Sequence, residues 1–376
     1  MKIVEVKTYV VGNRPPYSGG VCWVFLKLTT DEGIEGFGEV SGVPFGLQTL
    51  VQKVEDIGEQ WVVGVDPFNI ERLWKTLYHK KLGVISAFEM ACWDIVGKAL
   101  KQPIYNLLGG KVHEKLRSYS YLYPELEPSG GQTQQSPEQF ARRASKYVEQ
   151  GFTAIKFDPV GAKTPFDPRE LSLESLRYAE AVVKSVRGAI GDKCDILIGT
   201  HAQMTTHSAI SLAKRLEEYH PLWFEEPVPP ENIDEMARVA RSTSIPIAAG
   251  EQLTTKYEFA ELLEKQAAAI LQPCMVNIGG ILEAKKIAGM AEAHYAQIAP
   301  HMYIGPIAGA ASIQLDVCSP NFLIQEGIGT WGGFYAEILK EPIQWENGYI
   351  IPPTKPGLGV ELNEEVAAKH PYQPRK

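Results

Sequence analysis

The sequence predicts an α/β protein in which a barrel of alternating strands and helices follows a smaller α+β unit. Two observations carry this prediction. The first 115 residues hold three strand-like runs and then change to helical periodicity, as a small α+β unit does. From residue 116, short apolar runs alternate eight times with amphipathic segments, which is the pattern of a (β/α)8 barrel.

The N-terminal unit, residues 1–115, begins with the runs KIVEVKTYVV, VCWVFLKLTT and GIEGFGEV, separated by turns of Gly, Pro and Asp. These runs predict a three-stranded meander. Ser86 and Glu89 open a helical segment at the spacing of a capping box, in which both side chains would satisfy free N–H groups of that same helix. We expect this helix to end before Pro103.

The barrel is predicted over residues 116–340. Its eight apolar runs have the length of buried strands, and they are SYSYLY, TAIKF, ILIG, LWFEE, PIAAGE, AILQP, QIAPH and FLIQE. Ser136 and Pro137 predict the cap and first position of a helix. A doubly wound sheet is the alternative, but it seldom reaches eight strand–helix units, and no Gly-rich phosphate-binding sequence follows the first run.

Composition and charge exclude several classes of function. The net charge is −8 and basic residues never run longer than a pair, so we expect no nucleic-acid partner. The five cysteines are scattered and form no CxxC pair, which favours a reducing cytoplasm over a disulfide framework or a structural zinc site. The sequence shows neither a signal peptide nor an apolar run of about 20 residues, so we expect no membrane association.

Polar residues close most of the eight apolar runs. Because the carboxyl ends of barrel strands converge on one face, these side chains are predicted to be neighbours. They are Tyr121 or Tyr123, Lys156 and Asp158, His201, Glu225 and Glu226, Glu251, Cys274, His301, and Glu326.

Glu225 and Glu251 lie one strand–helix repeat apart, at equivalent ends of adjacent strands. Two such acids repel each other unless something positive lies between them. They could bind a divalent cation such as Mg²⁺, act as an acid/base pair as in glycoside hydrolysis, or pair with basic side chains at the rim. Lys156 and His301, placed on either side as proton-transfer groups, shift the balance toward metal.

Five segments resemble the mandelate racemase branch of the enolase superfamily, and most closely its acid-sugar dehydratases of the D-galactonate dehydratase type. They are WDIVGKALKQPIYNLLGG, WFEEPVPPEN, IPIAAGEQL, NIGGILEAKKIAGMAEAH and IAPHMYIGPIAGAASIQL. The resemblance implies a (β/α)7β barrel under an α+β cap that residues 341–376 complete. It also implies a homo-oligomer, and cap loops GNRPPYSGG and SGVPFG that select the substrate.

The resemblance implies a role for each strand-end residue. Glu225 and Glu251 correspond to two of the family's three Mg²⁺ ligands, and His301 to the base that removes a proton α to a carboxylate. Lys156 matches the first lysine of a strand 2 pair, Glu326 the acid that helps to bind the substrate carboxylate, and His201 the acid that protonates a departing hydroxyl. We further expect Tyr121 and Gln203 to line a polyol pocket.

Two positions depart from the family pattern. Gly199 stands where the family has its first metal ligand, an aspartate. We predict that Asp158 completes the Mg²⁺ site, with His201 as the alternative ligand and a site of only two protein ligands as the remaining possibility. Cys274 stands where the family has an aspartate bonded to the strand 7 histidine. A thiol is a weaker partner, so Lys156, with a pKa lowered by the nearby metal, becomes a second candidate for the base.

The predicted function is therefore a Mg²⁺-dependent lyase that dehydrates an acid sugar, an aldonate or aldarate, to a 2-keto-3-deoxy acid. A cycloisomerase or epimerase that uses the same enediolate is the alternative within this class. A degenerate, non-catalytic barrel is the alternative of another class, because of Gly199 and Cys274.

Overall fold

The computed structural model describes residues 1–41, 46–80, 83–123, 135–160 and 165–373. Its N-terminal part is an antiparallel sheet of β1 (Ile3–Gly12), β2 (Cys22–Thr30) and β3 (Glu35–Val40), paired in that order. The helices that follow are α1 (Leu47–Ile57), α2 (Ile70–His79), α3 (Ile85–Ala99) and α4 (Ile104–Leu107). A meander followed by helices is the predicted arrangement, and we call it the cap.

The second part is a closed parallel barrel. Its eight strands within the described residues are β4 (Leu116–Tyr121), β5 (Ala154–Phe157), β6 (Asp195–Gly199), β7 (Trp223–Glu225), β8 (Ile247–Ala249), β9 (Ile270–Leu271), β10 (Gln297–Ile298) and β11 (Gln325–Gly327). Strand β11 pairs with β4, and a parallel bridge between Ile298 and Phe322 joins the last two strands. The predicted fold class, a barrel beneath an α+β cap, is confirmed.

Helices connect the barrel strands. They are α5 (Pro137–Glu149), α6 (Leu173–Ile190), α7 (Thr206–Leu216), α8 (Ile233–Arg241), α9 (Lys256–Glu264), α10 (Ile281–Ala293) and α11 (Pro306–Val317), and the short α12 (Phe334–Glu337) follows the last strand. Ser136 caps α5 with a reciprocal capping box, as predicted. In the described part of the chain, no helix is long and apolar enough to cross a membrane.

The C-terminal segment touches both parts. The hairpin of β12 (Gln344–Glu346) and β13 (Tyr349–Ile351) adds to the edge of β4 in antiparallel register. Further on, the backbone of Gly12 donates to the His370 carbonyl just after α13 (Glu364–Lys369). The segment therefore ties the first barrel strand to the first strand of the cap.

The predicted capping box at Ser86 and Glu89 is wrong. Among the described residues no side chain caps α3; Ser86 Oγ instead accepts from the Gly279 N–H at 3.0 Å. Glu89 accepts from the N–H groups of Ile281 and Leu282 at 2.7 and 2.8 Å. These cap residues therefore close the N-terminus of barrel helix α10, because that end points its free N–H groups at the cap.

Glu39 does the same for the neighbouring barrel helix. Its carboxylate, at the end of β3, accepts from the N–H groups of Gly305 at 2.5 Å and Ala308 at 2.9 Å, at the start of α11. Burial raises the pKa of Glu39 and of Glu89 to about 8, even though these N–H groups lower it in part. The cap is thus docked on two adjacent barrel helices by buried acids that bind backbone N–H groups.

The interior of the barrel is filled by one inward side chain from each strand. This layer, which we call the floor, consists of Tyr119, Ala154, Leu197, Trp223, Ala248, Ile270, Ala299 and Ile324. Because side chains alternate along a strand, the residue two positions further on each strand also points inward. Those positions form the next layer toward the carboxyl ends, where a barrel carries its active site.

Candidate active site

The layer above the floor holds five of the strand-end residues singled out by sequence. Two positions beyond each floor residue lie Tyr121, Lys156, Gly199, Glu225, Gly250, Gln272, His301 and Glu326. The next inward positions on β5 and β6 bring Asp158 and His201 above this layer. Counting two residues forward from each apolar floor residue, and two more on β5 and β6, therefore places these predicted residues at one end of the barrel.

Lys156 joins two of the acids of this layer. Its Nζ lies 2.9 Å from Glu225 Oε1 and 2.6 Å from Glu326 Oε1, and the three side chains are 4, 2 and 6% exposed. Burial alone would lower the pKa of Lys156, but the charges of Glu225 and Glu326 hold it well above its ordinary value. These two carboxylates act on the pKa of Lys156 in the direction opposite to the lowering expected beside a metal ion.

Glu225 is held by two further donors that the sequence reasoning missed. Trp223 Nε1 donates to Glu225 Oε2 at 3.0 Å, and Gln272 Nε2 donates to the same oxygen at 2.8 Å. Gln272 closes the AILQP run at the position equivalent to Glu225, so counting two residues from Ile270 would have found it. With these partners the Glu225 carboxylate has a fixed orientation.

His301 lies between two other acids. Its Nε2 is 3.6 Å from Glu251 Oε2 and 3.9 Å from Glu326 Oε2. Burial lowers the pKa of His301, but Glu251 and the neighbouring Cys274 raise it more, to about 10. Nδ1 is buried without a hydrogen-bond partner among the described residues. The imidazole is therefore a cation near neutral pH, and it accepts a proton only after losing its own.

A second network surrounds Asp158. Gln203 Nε2 donates to Asp158 Oδ2 at 2.6 Å, and His201 Nδ1 lies 3.3 Å from the same oxygen. Val160 N–H donates to Oδ1, and the Asp158 N–H donates to the Tyr121 hydroxyl. Asp158 is therefore the centre of this network, and it orients both His201 and Gln203.

The backbone at His201 adopts an uncommon conformation. His201 and Ala202 have φ values of 50° and 53°, in the left-handed region that residues with a side chain seldom adopt. Two hydrogen bonds stabilise the turn: the Ala202 N–H donates to the Glu226 carbonyl, and the Phe166 N–H donates to the His201 carbonyl. Backbone conformations of this kind concentrate at functional sites.

His201 is suited to give a proton. Burial lowers its pKa, but the hydrogen bond to Asp158 and the charge of that carboxylate outweigh burial, so the pKa is raised above its ordinary value. The imidazole is 29% exposed, in contrast to its buried partner Asp158. A partly open imidazole whose pKa is raised by a neighbouring carboxylate is a typical general acid.

Aromatic side chains and a cap loop border this end of the barrel. Tyr121 packs near Tyr123 and His201, and Tyr123 near Tyr303. The first predicted cap loop, residues 12–20, reaches the same place, since the backbone of Gly19 and Gly20 hydrogen-bonds Tyr303 and a Cβ on Gly19 would overlap the Tyr335 hydroxyl. The second predicted loop, residues 41–46, lies almost wholly outside the described residues.

The donor set does not fit the three-carboxylate metal site that the resemblance implies. Across the described ranges, no three His, Cys, Asp or Glu side chains are placed to hold one metal ion. Asp158 is engaged by Gln203 and His201, and the Lys156 ammonium lies against Glu225. The structure therefore does not bring Asp158 together with Glu225 and Glu251 as a ligand set.

Comparison with known families agrees with the observed fold. Residues 139–366 match the family described as enolase C-terminal domain-like, and residues 19–109 match the mandelate racemase/muconate lactonizing enzyme N-terminal domain. A barrel with its polar layer at the carboxyl ends of the strands, beneath an α+β cap, defines the class as an enolase-superfamily protein. The chain belongs to the mandelate racemase/muconate lactonizing enzyme family of that superfamily, whose members generally use Mg²⁺.

Individual relatives cover nearly the whole chain. The D-galactonate dehydratase of Variovorax paradoxus is 36% identical over 379 residues, which span 97% of this chain and 93% of that protein. Crystal structures assigned to the mandelate racemase/muconate lactonizing enzymes come from Labrenzia alexandrii and Burkholderia. Both are 52% identical, with TM-scores of 0.95 and 0.96; the first covers 99% and the second 100% of this chain, and each match spans 96% of that chain.

Proposed function

We propose that this protein is a hydro-lyase that dehydrates an acid sugar, an aldonate or aldarate, by removing the proton α to its carboxylate. The observation that carries the proposal is the placement of two histidines, each beside a carboxylate, at one end of the barrel. His301 lies 3.6 Å from Glu251, and His201 lies 3.3 Å from Asp158. A β-elimination needs these two functions, a base for the α-proton and an acid for the leaving hydroxyl.

His301 is proposed as the base. It projects from the layer above the floor, beside Glu326 and close to the ammonium of Lys156, which binds that same acid. Only the neutral imidazole can accept the proton, so the reaction draws on molecules in which His301 has released its own. The positive charge of Lys156 favours docking of the substrate carboxylate and stabilises the negative charge that develops on it.

His201 is proposed as the acid that protonates the departing C3 hydroxyl. The Asp158 carboxylate orients the imidazole and raises its pKa, which favours the protonated form that a general acid needs. Loss of water leaves an enol, which takes up a proton at C3 and becomes the 2-keto-3-deoxy acid. Tyr121 and Gln203 border this point, and we propose that they contact the polyol.

The proposal omits the Mg²⁺ step of the sequence-based prediction. Glu225 and Glu251 are the carboxylates that were expected to hold the ion, and Asp158 was expected to replace the residue missing at Gly199. Because these side chains do not form a donor set here, the steps above use the protein's own groups alone. The assignment as a hydro-lyase is supported by the relatives named D-galactonate dehydratase.

The direct test is incubation with D-galactonate and a panel of other aldonates and aldarates in D₂O, followed by mass spectrometry. We expect one substrate to lose water and its product to carry solvent deuterium. His301→Asn should abolish both C2 exchange and dehydration, whereas His201→Asn should keep exchange and lose dehydration by about 10² to 10⁴-fold. His207→Asn is the matched control, because its side chain is 81% exposed on α7.

The other outcomes separate the alternatives. Deuterium uptake at unchanged product mass, apart from the exchanged proton, would identify an epimerase or cycloisomerase. Neither exchange nor loss of water from any acid sugar would contradict the proposed function and favour the non-catalytic barrel.

A further inference from the structure

We propose that Lys156 is the resident cation of this barrel site and occupies the place of the divalent metal ion that enolase-superfamily sites generally hold. The proposal concerns what the site binds. It stands or falls independently of the acid-sugar activity, because its test needs no substrate.

The first observation is the position of the ammonium. Lys156 Nζ lies 2.9 Å from Glu225 and 2.6 Å from Glu326, on β5, β7 and β11 of the barrel. All three side chains are almost fully buried, so water does not screen the pair of contacts. A buried cation with two carboxylates at hydrogen-bonding distance already supplies the charge that would otherwise bring a metal ion to these acids.

The second observation is the space at Gly199. A Cβ built on Gly199 would lie 3.2 Å from Lys156 Cδ, 3.4 Å from Lys156 Cγ and 3.5 Å from Glu225 Oε1. The lysine stem therefore fills the volume into which a side chain at position 199 would project. A larger side chain at 199 and the present conformation of Lys156 would crowd each other, since a carboxylate there would compete with the stem for the same space.

The third observation is the state of the remaining acids. Glu225 Oε2 already accepts from Trp223 and Gln272, and Glu251 lies beside His301. Asp158 binds Val160, Gln203 and His201. Glu225 and Asp158 thus already accept hydrogen bonds from the protein, and the Lys156 ammonium binds both Glu225 and Glu326. Buried carboxylates with such partners do not require a metal ion.

The first measurement is metal analysis of the purified wild-type protein after exposure to excess Mg²⁺ and removal of the free ion. We expect much less than one equivalent of Mg²⁺ per chain, no heat of binding in calorimetry, and a Tm unchanged by Mg²⁺ or by EDTA. One tightly bound equivalent, or a Tm that rises with Mg²⁺ and falls with EDTA, would overturn the proposal.

The second measurement reverses the exchange. In the double variant Gly199→Asp with Lys156→Ala, the lysine stem is removed and a third carboxylate faces Glu225 and Glu251. We expect this variant to gain saturable Mg²⁺ binding, seen as a rise in Tm of several degrees with added Mg²⁺. Gly188→Asp with Lys156→Ala is the matched control, because Gly188 lies on α6 with open space around its Cα.

The control should show no such rise. A double variant that folds and binds no more Mg²⁺ than its control would contradict the claim that Lys156 and Gly199 together keep the metal out. If the variants do not fold, the wild-type metal analysis still decides between the ammonium and the metal ion.

Discussion

Buried acids lie both at the cap–barrel interface and at the carboxyl ends of the barrel strands, which we call the barrel mouth. The partners of these acids differ between the two regions. At the interface, Glu39 and Glu89 bind backbone N–H groups at the starts of α11 and α10, and burial raises the pKa of both to about 8. At the mouth, Glu225 and Glu326 bind the ammonium of Lys156. Glutamates thus bind backbone N–H groups in one region and a lysine side chain in the other.

The difference shows what distinguishes a candidate site from a structural cluster. A buried acid that faces fixed backbone dipoles orders the chain, and those amides carry no net charge and give up no proton. A buried acid that faces a lysine or histidine shares a mobile proton and a charge that a substrate carboxylate can contact. The predictions below probe this comparison, from the largest expected effect to the smallest.

Lys156→Met should have the largest effect. The change leaves the Glu225 and Glu326 carboxylates buried without their cation, and breaking such a pair typically costs about 3 to 5 kcal/mol. We also expect kcat/KM toward the acid sugar to fall by about 10² to 10³-fold, because the charge that stabilises the developing anion is lost. Urea unfolding and steady-state kinetics measure the two effects.

Lys98→Met is the matched control in the cap. Lys98 pairs with buried Asp94, but Asp94 also accepts from the N–H groups of Phe37 and Leu358 and keeps those donors. We expect a smaller loss of stability and an unchanged kcat/KM per folded molecule. An equal loss of activity in both variants would mean that the two regions do not differ in the way described.

Gly280→Ala and Gly199→Ala form the next test. Gly280 has a φ of 98°, and a Cβ there would overlap the Glu89 carboxylate, so we expect a loss of about 1 to 3 kcal/mol from backbone strain and further loss from the clash. At Gly199 the nearest atom is the flexible Lys156 stem, 3.2 Å away, and the expected loss is smaller. Thermal unfolding measures the stability of both variants. A larger loss of stability in Gly199→Ala than in Gly280→Ala would contradict this expectation.

The interface acids should contribute to the dependence of stability on pH. The folded-state pKa of Glu89 is about 8, raised by burial, against an ordinary value of 4.5. The folded chain therefore holds the proton where the unfolded chain has released it, so the free energy of unfolding should fall as pH rises from about 4.5 to about 8. In Glu89→Gln, which cannot ionise, this fall should be shallower.

Chemical unfolding between pH 5 and pH 9 measures the slope. Glu114→Gln, at an 87% exposed acid, is the control and should follow the wild type. If Glu89→Gln kept the full slope, Glu89 would not be the group that releases the proton.

Much of the fold could be predicted because it follows from local sequence patterns. Eight apolar runs separated by amphipathic segments indicate a barrel, and Ser136 with Pro137 indicates a helix start that the structure confirms. Ser86 and Glu89 show the limit of such local rules. They have the spacing of a capping box, yet the N–H groups they satisfy lie 192 and 193 residues away along the chain.

The residues of the site could be predicted from sequence more fully than the contacts between them. Strand ends converge in any barrel, so Lys156, His301 and Glu326 could be grouped from sequence. The direction of the Lys156 pKa shift could not be predicted, because it depends on two carboxylates from distant strands rather than on burial alone. Gln272 was missed because an amide at the end of an apolar run carries no signal until the floor of the barrel is known.

The smallest expected effects give the finest comparison of the two regions. Ser86→Ala removes one hydrogen bond to the Gly279 N–H, and Gln203→Met removes one to Asp158. The Ser86 bond is between neutral groups, so its loss should cost about 0.5 to 1.5 kcal/mol, and the Gln203 bond, to a charged group, somewhat more. Only Gln203→Met should lower kcat/KM, since it frees the carboxylate that orients His201. Equal kinetic losses would show that catalysis depends on the rigidity of the interface as much as on the network at the barrel mouth.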